Sequence, residues 1–346
     1  MMPKLPDELT VEIISRLPVK SLIRFKCVCK TWQSIISHPK FAKLQLTRSN
    51  CLNHRLLLTT CPPQSVDYEA FAVRKLTYPV IASGGSQDSY VQILGSCDGL
   101  VCLFDDNMIM FIWNPTTGDC RPLPNPNADF CGVLLHGIGY NYSTDDYGIV
   151  FASHSTANGI IIELYTLKTR IWRRIQDTDH LILETFKLGS GISWNGDLYW
   201  LSIKESGVSR VYTVICFDMV EEKFKEILPL PDMDPDIVSV NLGMSESCLC
   251  LFSEHEESSF EGFILNINGN QVSYHRLFRY PHHTFTGYGN KALCLTKNGQ
   301  VVMDSDGWEI YLYHPKTGIF NTSFWVHHDT ESQSEIYQES LVSPNC

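Results

Sequence analysis

The sequence predicts a mixed fold: a small all-α head of three helices over residues 1–46, followed by an all-β propeller of six four-stranded blades over residues 47–346. Three observations carry this prediction. Apolar residues recur at helical spacing within the first 46 positions. The remainder alternates turn residues with short apolar segments at a period of 44–52 residues. At 346 residues the chain also exceeds what one core usually organises.

In the head, Pro6 followed by Asp7 and Glu8 places a preset φ and negative charge at a helix start, where free N–H groups and the dipole favour both. A first helix is predicted from Asp7 to Leu17, with Leu9, Ile13 and Leu17 recurring every fourth residue and Val11 and Ile14 widening the apolar surface. Pro18 ends that helix. A second follows with Leu22, Ile23, Phe25 and Val28 apolar, and a third holds Trp32, Ile35 and Ile36 until Pro39 stops it. So short a segment forms no stable core alone, so a partner is expected.

The stretch LPDELTVEIISRLPVKSLIRFKCVCKTWQSII resembles an F-box, through Leu5, Pro6, Glu8, Ile13, Leu17, Pro18, Leu22, Val28, Cys29, Lys30 and Trp32. The resemblance implies docking on a Skp-type adaptor and, through it, on a cullin-RING ubiquitin ligase. It places Leu5, Pro6, Ile13, Leu17, Pro18 and Leu22 at or near the adaptor, and assigns Leu9, Phe25, Val28 and Trp32 to holding the three helices together. The alternative is a helical cap packed on its own C-terminal domain.

In the body, six heptads stand in register: NHRLLLT from Asn53, DGLVCLF from Asp98, DDYGIVF from Asp145, NGDLYWL from Asn195, ESCLCLF from Glu246 and NKALCLT from Asn290. Each sets polar or turn-forming residues before apolar β-formers, the pattern of a hairpin feeding a buried strand. A second series places Trp113, Tyr165, Phe217, Leu265 and Tyr313 at intervals of 52, 52, 48 and 48 residues, each before a turn and another strand. Four strands per such period is the arithmetic of a β-propeller, although an open sandwich has similar strands. The late segment Tyr337–Pro344 is predicted to close the ring by pairing near Arg55 to Thr59, after a polar loop from His327 to Glu335.

This half resembles the kelch-like, F-box-associated domain of plant F-box proteins. The carrying residues include Gly95-Ser96-Cys97-Asp98-Gly99-Leu100, Trp113-Asn114-Pro115, Gly137-Ile138-Gly139-Tyr140, Leu198-Tyr199-Trp200-Leu201 and Glu339-Ser340-Leu341-Val342. The pattern departs at Phe260 to Ile267, where the usual Trp-Met pair is replaced by Gly262-Phe263-Ile264-Leu265.

Charge and motifs narrow the chemistry. Of the net charge of −11, residues 1–50 contribute +6, from nine Lys/Arg against Asp7, Glu8 and Glu12, so the rest carries −17. A basic head on an acidic body argues against nucleic acid, since the larger surface repels phosphate. It is compatible with solvated helix faces or an acidic protein partner for Lys20, Arg24, Lys26 and Lys30. No signal peptide or membrane-length apolar run occurs, so no membrane insertion is expected and the chain is expected in the cytoplasm and/or nucleus.

The 13 cysteines lie mostly in apolar segments, with no CxxC, so no metal is expected. His282/His283 and His327/His328 read as solvated loops, Asp105/Asp106 and Asp145/Asp146 as turns, and Glu254 to Glu257 as an exposed loop. Trp113, Trp172, Trp200 and Trp308 read as inter-blade core.

No GxSxG, HExxH, Walker or dinucleotide fingerprint is present, so no catalytic residue and no cofactor is expected. The leading functional expectation is the substrate-recognition subunit of a Skp-cullin-F-box ubiquitin ligase, itself not an enzyme, whose propeller holds an unknown protein substrate. The alternatives are a small-molecule or glycan-binding propeller capped by the head, and an F-box scaffold outside a ligase. The substrate-contacting residues are not legible.

Overall fold

The computed structural model describes the chain apart from residues 1–5, 49–53, 80–90, 106–108, 127–132, 156–158, 176–188, 207–208, 226–229, 231–236, 246–247, 256–258, 269–270, 282–289, 306, 326–331 and 346. Four helices open it: α1 (Asp7–Ile14), α2 (Val19–Phe25), α3 (Lys30–Ile36) and α4 (Pro39–Arg48). Pro6 and Pro18 precede the first two at φ −54° and −55°, each followed at once by helical backbone. Cys29 caps α3, its Sγ accepting from the Trp32 amide at 3.5 Å.

The fourth helix corrects the three-helix expectation. Pro39 stops α3, as the sequence suggests, but it also opens α4 at a first position that requires no amide donor. Phe41, Ala42 and Gln45 then bury one face of that helix.

The described strands form five hydrogen-bonded sheets. Three have four strands. One has four strands plus the short segment Gly189–Ser190, which adds in parallel to the inner strand Val133–Asn141. The eight-stranded sheet is two four-stranded meanders joined by one parallel pair, Met244 with Cys294.

Six meanders result, numbered here from the N-terminus. The first combines His54–Leu58, Gln64–Asp67 and Ala72–Lys75 with Ser334–Gln338. The others begin with inner strands Val91–Cys97, Val133–Asn141, Ile192–Trp194, Ile237–Ser245 and Asn290–Leu295.

Six buried apolar clusters link neighbouring meanders around a ring. Leu57, Val91 and Trp113 join the first and second; Ile112, Ile149 and Tyr165 the second and third; and Val150, Leu198 and Phe217 the third and fourth. Val214 and Leu251 join the fourth and fifth, Phe252 and Met303 the fifth and sixth, and Leu56 and Val302 the sixth and first. Burial of these side chains is the main favourable term holding the ring, at about 1.5–3 kcal/mol per large apolar residue.

The second sequence series maps on one structural position. Trp113, Tyr165, Phe217, Leu265 and Tyr313 all lie on the third strand of their meanders, and all are buried. The heptads map there less uniformly. The first five coincide with second strands, but NKALCLT coincides with the inner strand Asn290–Leu295, and the true counterpart is Val301–Ser305. Both strands are apolar and buried, which is why the pattern alone misassigned the sixth.

Closure occurs where expected, through a different segment. Ser334–Gln338 pairs antiparallel with His54–Leu58, Tyr337 opposite Arg55. The strand therefore begins inside the expected polar loop, and Glu339–Ser343 continues outside regular strand. Asp98-Gly99 and Asn195-Gly196 form the turns after two inner strands, with φ of 51°, 84°, 52° and 85°, the left-handed pair that suits tight hairpins.

At the expected departure near Phe260, the strand Ser259–Asn268 keeps its place with a bulge between Gly262 and Phe263. Gly262 lies under the Phe278 ring, where a Cβ would come within 2.5 Å.

Candidate partner-binding surfaces

The head presents two unlike sides. On one, Ile14, Val19, Leu22, Ile36, Phe41 and Ala42 belong to a buried cluster that continues through Leu341 and Val342 into the second and third meanders. On the other, Leu9, Ile13 and Val28 are 51%, 55% and 62% exposed. Leu9 and Ile13 share a face of α1, being one turn apart. Phe25 and Trp32 pack edge to face at 5.2 Å and close the gap between α2 and α3.

The expected adaptor residues therefore separate. Pro6, Ile13 and Pro18 are exposed, Leu17 is half-buried against the cluster, and Leu5 lies outside the described residues. Leu22, which the resemblance places at or near the adaptor, is fully buried in this structure. Leu9 and Val28, assigned to holding the helices together, instead leave about half or more of their surface in solvent. The alternation of apolar residues identified the helices but not which apolar side the propeller itself covers.

Charged contacts fix the head on the ring. The Lys43 ammonium donates to the Tyr140 hydroxyl at 3.2 Å, pairs with Asp145 and lies 5.0 Å from the Tyr140 ring centroid. Lys20 reaches Glu339 at 3.2 Å, and Glu339 also pairs with Arg55 of the closing strand pair. Within the head, hydrogen bonds from Arg16 and then Arg48 hold the Glu12 carboxyl below its usual range. Arg48 also donates to Ser15 Oγ at 2.9 Å, tying α4 back to the end of α1. Part of the basic excess of the head is thus spent on its own propeller.

An axial cavity of about 320 Å³ runs between the inner strands. Apolar residues such as Leu242, Leu293 and Trp200 share its wall with Ser96, Lys291 and Glu335. A second cavity of about 590 Å³ adjoins it through Ser96, Ser193 and Ile336 and reaches Asp98 and Tyr140, close to the Lys43 contact.

Burial raises the Asp98 carboxyl above its usual range despite a hydrogen bond from the Tyr147 hydroxyl at 2.9 Å. Burial likewise lowers His136 to about 4; its Nδ1 lies 2.9 Å from the Leu94 carbonyl and donates to it. His54, Ser193 and Asp98 all line the second cavity, but Asp98 accepts from Tyr147 and Ser193 donates to Cys97, with no hydrogen bond joining the three among the described residues; among those residues no group of three or more His, Cys, Asp or Glu could hold a metal.

His282/His283 and His327/His328 lie outside the described residues, as do Asp106, Glu256 and Glu257. Glu254 and His255 are correctly read as acidic-run members but incorrectly as loop: they end the strand Cys248–His255, and His255 is buried. Asp145 is a turn residue, whereas Asp146 is buried and accepts from the Lys168 amide. Trp113, Trp172 and Trp200 are core; Trp308, 53% exposed beside Gly307, is not. The cavities drew no signal from the sequence because Lys291 and Glu335 are isolated charges on different strands, 44 residues apart.

A helical head with an exposed apolar edge, fastened to a ring of meanders around an axial cavity, defines a two-part binding protein: one module for docking, one for display. Comparison with known families agrees on both parts. Residues 53–343 match the F-box associated beta propeller domain, and residues 2–44 match the F-box domain. The chain belongs to the F-box proteins carrying an F-box-associated propeller.

Its relatives include an F-box/kelch-repeat protein of Arabidopsis thaliana, 28% identical over 99% of this chain and 96% of the relative. Another Arabidopsis thaliana F-box protein is 26% identical over 91% of this chain and 86% of its own length. Among solved structures, one described as the structure of U3-55K aligns over 77% of this chain and 76% of its own, with a TM-score of 0.40 and 11% identity. No helix among the described residues is long and apolar enough to cross a membrane.

Proposed function

We propose that this chain is the substrate-recognition subunit of a Skp-cullin-F-box ubiquitin ligase, its head docking on the Skp-type adaptor and its propeller holding a protein for ubiquitination. The observation that carries the reading is the apolar edge of Leu9, Ile13 and Val28, left in solvent on a head that is otherwise packed. A structural cap would also dock on its propeller, as this head does, but it would have no reason to leave large apolar residues uncovered.

Catalysis in this reading belongs to the partners. The chain contributes proximity, which converts a bimolecular encounter into an intramolecular one. Such a receptor acts in the cytoplasm and/or nucleus.

The test is co-purification of the full chain with a Skp-type adaptor. Wild type forms a complex at micromolar concentration, and Ile13→Glu weakens it by about tenfold or more, with unfolding unchanged. An intact chain that leaves the adaptor unbound at micromolar concentration overturns the reading.

A further inference from the structure

The axial cavity is lined by two unlike charges, Lys291 and Glu335, that attract each other across it without closing into an ion pair. Lys291 stands on the inner strand of the sixth meander and Glu335 on the closing strand beside it, and both line the cavity. Among the described residues neither forms an ion pair within 4.0 Å, whereas Glu339, Asp67, Asp197, Asp218 and Glu261 all do.

Among the described residues the Glu335 carboxylate has one hydrogen-bond donor, the Ser96 hydroxyl at 3.3 Å, and that hydroxyl sits closer to the Ile336 carbonyl, at 2.6 Å. Its carboxylate therefore keeps unfilled acceptor capacity in a largely desolvated place. Burial raises its proton affinity, and the opposing charge of Lys291 and the Ser96 hydrogen bond offset this only in part.

The wall opposite is built rather than incidental. Gly189–Ser190 adds to the inner edge of the third meander, and Gly191 lies flat on the Trp200 indole, where a Cβ would come within 2.5 Å of the ring. Ser190 joins the cavity lining, its hydroxyl oxygen buried and without a protein hydrogen-bond partner among the described residues. An unpartnered hydroxyl and an underused carboxylate in one cavity each cost free energy unless a ligand meets them.

We propose that the axial cavity binds a small zwitterion of amino-acid size, its ammonium on Glu335, its carboxylate on Lys291 and its side chain against Leu242 and Leu293. A lone cation is disfavoured by Lys291, and a lone anion by Glu335; a zwitterion satisfies both. The volume of about 320 Å³ sits at the small end of ligand cavities, which span about 300–1,000 Å³. The assignment is independent of the adaptor-docking role, since none of its residues lies in the head.

The test is calorimetry of the full chain against a panel of standard α-amino acids, each compared with its decarboxylated amine and its deaminated acid. At least one amino acid binds saturably below ~1 mM, and its amine and acid both bind about tenfold or more weakly. Glu335→Gln and Lys291→Met each weaken it by a similar factor, while the unfolding midpoint of the unliganded chain does not fall in either and rises for Glu335→Gln, which removes a buried charge. Absence of saturable binding by every amino acid overturns the proposal, as does equal affinity in both variants. Equal binding of the amine assigns the site to a simple cation and likewise overturns it.

Discussion

The Asn114 side-chain amide donates to the Val342 carbonyl at 2.7 Å and lies 3.2 Å from the Ser340 carbonyl, while its Oδ1 accepts from the Thr116 amide at 2.8 Å. One fully buried side chain thus shapes the turn after Trp113 and clamps the C-terminal segment on which the head rests. Asn114→Ala leaves buried carbonyls without donors and costs about 2–4 kcal/mol. Urea unfolding of the full chain measures it. A loss within 0.5 kcal/mol, the ordinary range for inert surface changes, shows the clamp to be dispensable.

Ring closure predicts a larger effect. Removing Ile336–Cys346 takes away the pairing of Tyr337 with Arg55, the Tyr337–Ser65 hydroxyl contact at 2.7 Å, and the buried Leu341 and Val342. Both the first meander and the floor beneath the head lose their cover. Thermal melting of the truncated chain, followed by far-UV and near-UV circular dichroism, then shows a broad transition at lower temperature. An unchanged cooperative transition contradicts closure by this strand.

What the sequence discloses follows from which interactions are periodic. Third-strand positions such as Trp113 and Phe217 repeat because every meander needs a bulky side chain against its neighbour, so they were legible in advance. NKALCLT misled because inner and second strands are both apolar and only tertiary pairing distinguishes them. Pro39 was ambiguous because proline both ends and begins helices. That Leu22 is buried and Val28 exposed was not legible, because burial depends on where the propeller sits, a relation between segments far apart in sequence. Lys291 and Glu335 were invisible for the same reason.

Stability should fall with mild acid. His136 is held at about 4 by burial against an unfolded value of about 6.5, so the unfolded chain binds the extra proton first. The stability conferred by neutral His136 is complete above about pH 6.5 and is lost progressively as pH falls toward about 4; His54, also lowered to about 4, adds in the same direction. Asp98 and Glu335, whose folded values are raised, act in the opposite direction, since their protonation as pH falls through those raised values favours the folded state. Urea midpoints between pH 7 and 5 decline for wild type and decline less for His136→Asn. Identical slopes in the two proteins remove His136 as the cause.

The contrast between Leu22 and Ile13 separates packing from recognition within one motif. Leu22 belongs to the buried cluster with Ile14, Val19 and Phe41, so Leu22→Ala opens a cavity where the head meets the ring and costs about 2–5 kcal/mol. Ile13 is 55% exposed, and Ile13→Ala should change stability by less than about 1 kcal/mol. Adaptor affinity should respond in the opposite order: under conditions where both variants are folded, Ile13→Ala weakens the complex directly, and Leu22→Ala weakens it only as far as it unfolds the head. Chemical denaturation and adaptor titration on the same two variants supply both numbers. Equal loss of adaptor affinity with Leu22→Ala fully folded would return that side chain to the interface and require the head to open before it docks.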